Sequence, residues 1–256
     1  MRVLVLRAPG TNCDLETAYA FERAGAQADR LHIGAVLDSS QRLADYQVLC
    51  LPGGFSYGDD LGAGRIQAVQ LRLRLADAIR RFRDEGKLIL GICNGFQVLM
   101  QSGMLLEEDS QAGTTATLTW NESGKFEDRW VHLKAAAGQC VFLRGVERMY
   151  LPVAHAEGRF VGRSPEALAA LDRAGQLVLR YASCSGSNFP SYPENPNGSI
   201  LAIAGVCDAS GRVFGLMPHP ERHIDRTQHP RWTRGEGGPT GEGLRVFENA
   251  VEYFKS

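Results

Sequence analysis

Three short, unbroken apolar runs constrain this chain more than any other feature: Val3-Leu4-Val5-Leu6, Val48-Leu49-Cys50-Leu51 and Leu88-Ile89-Leu90. A strand with one wet face alternates apolar and polar residues. A run with no polar member marks a strand buried on both faces. Helical patterns lie between the runs. Leu15, Ala18, Tyr19 and Glu22 share a helical spacing, with Gly25 placed to stop the helix. Residues 67–82 put Leu71, Leu75, Ile79 and Phe82 on one helical face and arginines on the others. A further apolar helix is expected over residues 94–100. Strand, crossover helix and strand in succession predict an α/β fold: a mostly parallel sheet with helices on both faces.

Beyond about residue 110 the pattern changes. Strand-like runs occur at residues 130–134, 140–143, 149–153, 177–181, 200–204 and 213–217, with few helical signals between them. They predict antiparallel additions to the same sheet or a small side sheet. Residues 183–199, rich in Ser, Gly, Asn and Pro, read as a long surface loop. Leu244, Phe247, Val251 and Phe254 mark a final amphipathic helix. There is no internal repeat and no clear linker, so residues 1–256 are expected to form one domain.

The charges balance: 28 Lys and Arg against 29 Asp and Glu. That gives no electrostatic footprint for nucleic acid. No apolar run is long enough to span a membrane, and the opening run is too short for a signal peptide. A cytoplasmic home is expected. The six cysteines, at 13, 50, 93, 140, 184 and 207, show no CxxC spacing, and without an export signal they read as reduced thiols, mostly buried as small hydrophobes.

Cys93 does not fit that reading. Gly91-Ile92-Cys93-Asn94-Gly95 joins an apolar strand to a helix, the pattern of a nucleophile elbow with Cys in place of Ser. A sharp turn there needs close chain approach on both sides, which the glycines permit. The helix N-terminus favours thiolate and oxyanion alike. A thiolate needs a base, and two His-x-Glu pairs offer one: His155 with Glu157, and His219 with Glu221. In extended chain, residues two apart point the same way, so each Glu can support its His. Pro218 and Pro220 stiffen the second pair, yet spacing alone leaves both open. A metal site of His219, Glu221 and His223 matches no familiar zinc spacing, and no metal is expected. After the second strand, Leu51-Pro52-Gly53-Gly54-Phe55-Ser56-Tyr57-Gly58-Asp59 carries paired glycines at a strand's C-terminal end. They can turn one backbone N–H into a pocket, which with that of Asn94 would make a two-donor oxyanion hole. Neither GxGxxG nor a Walker A sequence is present.

Together these segments, with Pro9-Gly-Thr-Asn-Cys-Asp14, Asn94-Gly-Phe-Gln97, His155-Ala-Glu-Gly158 and Met217-Pro-His-Pro-Glu-Arg222, resemble the class I glutamine amidotransferases. Within them the likeness is to the glutaminase branch of phosphoribosylformylglycinamidine synthase, and it runs over nearly the whole chain. The resemblance implies a flavodoxin-like fold and hydrolysis of the glutamine side-chain amide. The ammonia would pass to a large synthetase subunit that uses ATP and magnesium, a small third subunit being a further expected partner. No cofactor is expected in this chain. The family pattern makes Cys93 the nucleophile, His219 the base and Glu221 its orienting partner. Gly53 and Gly54, with Asn94, form the oxyanion segment, and Gln97 helps hold the substrate. His155 is left without a chemical role and is expected at the partner interface. Residues 57–64 and 183–199 look more like the glutaminase domain of the single-chain synthases. Two other classes fit the same residues: a free-standing hydrolase, such as a gamma-glutamyl hydrolase or cysteine peptidase, and a binding module that has lost its chemistry.

Overall fold

A computed structural model describes residues 1–106, 113–136, 138–183 and 190–255. In chain order the elements are β1 (Arg2–Arg7), α1 (Asp14–Arg23), β2 (Gln27–His32), α2 (Ile33–Asp38), β3 (Val48–Leu51), α3 (Arg65–Gln70), α4 (Ala76–Asp84), β4 (Leu88–Ile92) and α5 (Asn94–Gln101). There follow β5 (Ala116–Thr119), β6 (Glu127–Ala135), β7 (Arg148–His155), β8 (Arg159–Gly162), α6 (Pro165–Arg173), β9 (Leu179–Tyr181), β10 (Ile203–Cys207), β11 (Val213–Leu216) and α7 (Leu244–Tyr253).

The main sheet runs β2-β1-β3-β4-β11-β10-β9-β6-β7. Every pairing from β2 to β11 is parallel, and every pairing from β11 to β7 is antiparallel. The predicted mostly parallel core with antiparallel additions is therefore observed, and β5 with β8 forms the small side sheet as well. The three unbroken apolar runs are β1, β3 and β4, buried through their apolar residues. Residues 67–82 are helical throughout, α3 passing into α4 through a π-helical stretch at Leu71–Leu75. Leu71, Leu75, Ile79 and Phe82 all face the core.

Several expectations need correction. On α1 the buried face is Ala18, Ala20 and Phe21, whereas Leu15 and Tyr19 are exposed. Phe21 packs edge-on against Phe247 of α7 at 4.9 Å, and that contact fixes which face of α1 turns inward. Residues 140–143 hold a 3₁₀ turn at Val141–Leu143 rather than a strand. Asn249 caps it, donating to the carbonyls of Phe142 and Arg144. The strand expected at 200–204 starts only at Ile203, after a 3₁₀ turn. Of the expected surface loop 183–199, residues 184–189 and with them Cys184 lie outside the described residues. The remainder is not all surface: Asn195, Asn197 and Ser199 are buried and bonded to one another and to Gly158. Among the described residues no helix is long and apolar enough to cross a membrane.

Candidate active site

The loops leaving the carboxyl ends of β1, β3, β4 and β11 converge, as ligand sites do in open parallel sheets. Cys93 stands between β4 and α5 with φ 50 and ψ −106, a conformation costly for a residue with a Cβ and characteristic of functional sites. The flanking glycine is required there. A Cβ on Gly95 would lie 1.8 Å from the Leu51 carbonyl oxygen at the end of β3. The Cys93 side chain is 5% exposed. Its thiol donates to the Ala154 carbonyl at 3.7 Å.

Past the end of β11, His219 and Glu221 form a buried pair, Nδ1 to Oε1 at 2.6 Å. Burial works against a charged imidazole. The nearby Glu221 carboxylate, with Cys93 and Cys13, outweighs it and holds the His219 pKa well above its ordinary value. Nε2 of His219 and Oε2 of Glu221 are buried without hydrogen-bond partners among the described residues. With Nδ1 anchored by the carboxylate, Nε2 is the nitrogen left to exchange a proton.

Gly53 packs directly on the imidazole, since a Cβ there would stand 2.7 Å from His219 Cε1. Gly54, at φ +138, bridges to Thr11 in the loop after β1. The next residues continue in strained backbone, with Tyr57 and Asp59 also at positive φ. Asn94 fastens this loop to α5: its Oδ1 accepts from Ser56 N at 3.2 Å, and its Nδ2 donates to Asp59 and to Gln97 Oε1. Gln97 in turn donates to the Glu157 carbonyl at 2.5 Å. Both ends of the Gln97 side chain are thus engaged within the protein, bracing the wall of the site.

Packing, hydrogen bonds and charge coupling bring Cys93, His219, Glu221, Gly53, Gly54, Asn94 and Gln97 together past the carboxyl ends of β3, β4 and β11. His155 is near them but not on the surface. Its ring is 3% exposed, bonded through Nδ1 to Asn121 Oδ1 at 3.1 Å. Burial, with the nearby His219, depresses its pKa to about 3, so it is neutral, with its ring beneath the surface. Glu157 turns away to the Ala63 amide, and the second His-x-Glu pair is no pair.

Cys13, at the head of α1, is a participant that sequence reasoning missed. Donor atoms of Cys13, His219 and Glu221 lie within 4.8 Å of one another, a grouping of metal-ligand types among the described residues. Its sulfur also accepts from Arg222 Nη2 at 3.2 Å. A guanidinium against the sulfur and a carboxylate already on Nδ1 suit an ion pair better than a cation. The signal available in sequence was the position of Cys13 just after β1, in the same row of carboxyl-end loops. His223 is held elsewhere, by Tyr150 O at 2.7 Å and by the Trp130 ring.

A family model described as CobB/CobQ-like glutamine amidotransferase domain matches residues 1–254. The chain belongs to this glutamine amidotransferase family. The amidotransferase is 48% identical over 256 residues to phosphoribosylformylglycinamidine synthase subunit PurQ of Dehalococcoides mccartyi, covering 100% of this chain and 98% of the relative. Against the PurQ subunit of Pyrococcus horikoshii it is 37% identical, covering 100% and 99%. A chain in the structure of PurLQS from Thermotoga maritima matches it with a TM-score of 0.74 at 34% identity, over 99% of this chain and 98% of that one. A putative GMP synthase subunit from Thermoplasma acidophilum, at 13% identity and a TM-score of 0.57, shares the fold. The expected likeness to the glutaminase branch of the purine synthase is borne out by these relatives.

Proposed function

We propose that this chain is the glutaminase subunit of a cytoplasmic phosphoribosylformylglycinamidine synthase, acting in purine biosynthesis. It hydrolyses the side-chain amide of L-glutamine through Cys93, His219 and Glu221. The ammonia goes to a large synthetase subunit. That partner, with ATP and magnesium, converts formylglycinamide ribonucleotide to the amidine. The observation that carries the reading is the strained Cys93 at a helix mouth beside the buried, carboxylate-anchored His219.

In the reaction, the Cys93 proton rests on His219 Nε2, and the Cys93 thiolate of this ion pair attacks the amide carbon. Charge develops on the carbonyl oxygen, towards the backbone N–H groups of Gly54 and Asn94, the latter at the head of α5. The imidazolium then gives its proton to the leaving nitrogen. Ammonia departs and a glutamyl thioester remains. Water, deprotonated by His219, releases glutamate and restores the thiol. Glu221 stabilises the imidazolium and fixes its tautomer, as the third member of a triad does. Asn94 and Gln97 hold the walls on which the substrate rests.

The test is glutamine hydrolysis by the purified chain, alone and then with the synthetase subunit, ATP and formylglycinamide ribonucleotide. Low activity alone that rises on complex formation is expected. High activity alone, indifferent to the synthetase, would identify an independent amidohydrolase instead.

A further inference from the structure

We infer that Cys13 is a positioning residue for the His219–Glu221 pair, keeping the Arg222 guanidinium off the Glu221 carboxylate. The inference rests on the glutaminase reading and adds a residue to its machinery.

Arg222 follows Glu221 in the chain, and Glu221 Oε2 is buried without a partner among the described residues. A guanidinium fork pairs readily with a bare carboxylate, often through two bonds. Such a pair would draw charge from His219, whose imidazolium depends on Glu221. The structure commits Arg222 elsewhere: Nε to Glu16 Oε1 at 2.9 Å and Nη2 to Cys13 Sγ at 3.2 Å. Cys13 is itself fixed. It is 1% exposed, its N–H donates to the Gly53 carbonyl at 3.3 Å, and its thiol faces Asn12 Oδ1 at 3.4 Å. A Cβ on Gly53 would touch both the sulfur, at 3.1 Å, and the imidazole, at 2.7 Å, so thiol and ring share one wall.

A thiol suits this place because it fills space and accepts a guanidinium N–H while remaining uncharged. Burial pushes its pKa up to about 11, with His219 and Arg222 acting the other way. A carboxylate at this position would compete with Glu221, and an alanine would leave a gap into which Arg222 could swing. The titratable groups around His219 are Cys93 at the head of α5, Cys13 at the head of α1, Glu221 on its own segment and His155 at the end of β7. Arg222 and Glu16 lie beyond the sulfur.

The sign of the effect follows. Cys13 supports the imidazolium. Its removal withdraws that support and frees Arg222 to pair with Glu221, and both changes lower the His219 pKa. In Cys13→Ala, assayed in the complex with the synthetase, the alkaline limb of the kcat profile is expected to move down by about one pH unit. On the alkaline side of the shifted limb kcat should fall about tenfold while KM stays within about twofold. Cys13→Ser, which keeps an acceptor, should recover part of the shift and serves if the alanine variant does not fold. The double variant Cys13→Ala with Arg222→Gln should return the limb towards wild type, because no guanidinium remains to move. A packing defect alone would be deepened by the second change. An unshifted limb in both single variants, or no recovery in the double, overturns the inference. Wild-type and Cys93→Ala complexes run alongside separate the two levels. If the wild type releases no glutamate, the glutaminase reading fails. If it does, Cys93→Ala does not and the Cys13 profiles match wild type, only the role of Cys13 fails.

Discussion

The Cys93 backbone, at φ 50, belongs to a region that residues with a Cβ seldom occupy. Its neighbours force it there, and the thiol is thereby presented at the head of α5. On the proposed mechanism, Cys93→Ser and His219→Ala each lower glutamate release by at least about a thousandfold, because the members of such a unit fail together. Glu221→Ala costs less than either, since the base survives with poorer aim and an unfixed tautomer. His155→Ala leaves the chemical step largely intact. Steady-state glutamate release by the four variants checks the order, and a wild-type rate in Cys93→Ser would end the mechanism. These residues were legible because each sits in a short motif punctuated by Gly or Pro, whose backbone demands are local. Cys13 was not, because nothing near it in sequence announces its partner: Arg222 is 209 positions away. The inertness of His155 was equally hidden, since Asn121, which holds its ring, is 34 positions earlier.

Among the elements, the apolar runs made β1, β3 and β4 readable, and α5 lies within a residue of its expected bounds. β2 escaped because Gln27–His32 is mostly polar and lies at the sheet's edge, paired among the described residues only with β1, where no hydrophobic run is needed. α6 went unread although Ser164 caps it, accepting from Ala167 N at 3.2 Å, with Pro165 in its first turn. That is a complete start signal on a short helix. Two predictions belong here. Gly95→Ala drives a methyl into the Leu51 carbonyl, so the β3–β4–α5 junction must part. Loss of glutaminase activity together with a lower thermal midpoint is expected, measured by glutamate release and by differential scanning calorimetry. Phe247→Ala removes a fully buried ring from the α1–α7 contact and should cost about 3–5 kcal/mol, read from urea denaturation at constant slope.

For the molecule as a whole, acid is the expected weakness. Folded His155 stays neutral down to about pH 3, whereas the unfolded residue takes up its proton near the ordinary value of 6.5. Between these limits the unfolded chain binds more protons, so stability rises with pH. The contribution is complete above about pH 6.5 and drains away as pH falls towards 3. Urea midpoints measured from pH 7 to pH 4 should therefore fall less steeply in His155→Gln than in wild type. A parallel pair of curves would show that other groups carry the acid response.

The outer edge of β7 has a consequence for dimensions. Successive outward carbonyls on this strand serve three different tasks: Tyr150 O takes the His223 ring, Pro152 O takes the His219 amide and Ala154 O takes the Cys93 thiol. Pro152 fits such an edge, having no N–H to leave unmatched. Extended chain repeats every two residues, about 7 Å, so the strand works as a ruler that sets the separation of the proposed nucleophile and base. The ruler is calibrated by its pairing with β6, from Glu127 opposite His155 to Lys134 opposite Arg148. A slip of one residue would turn the other carbonyls outward and misplace Cys93 and His219 at once. The spacing of a chemical pair on the parallel side of the sheet is thus kept by hydrogen bonds at its antiparallel end.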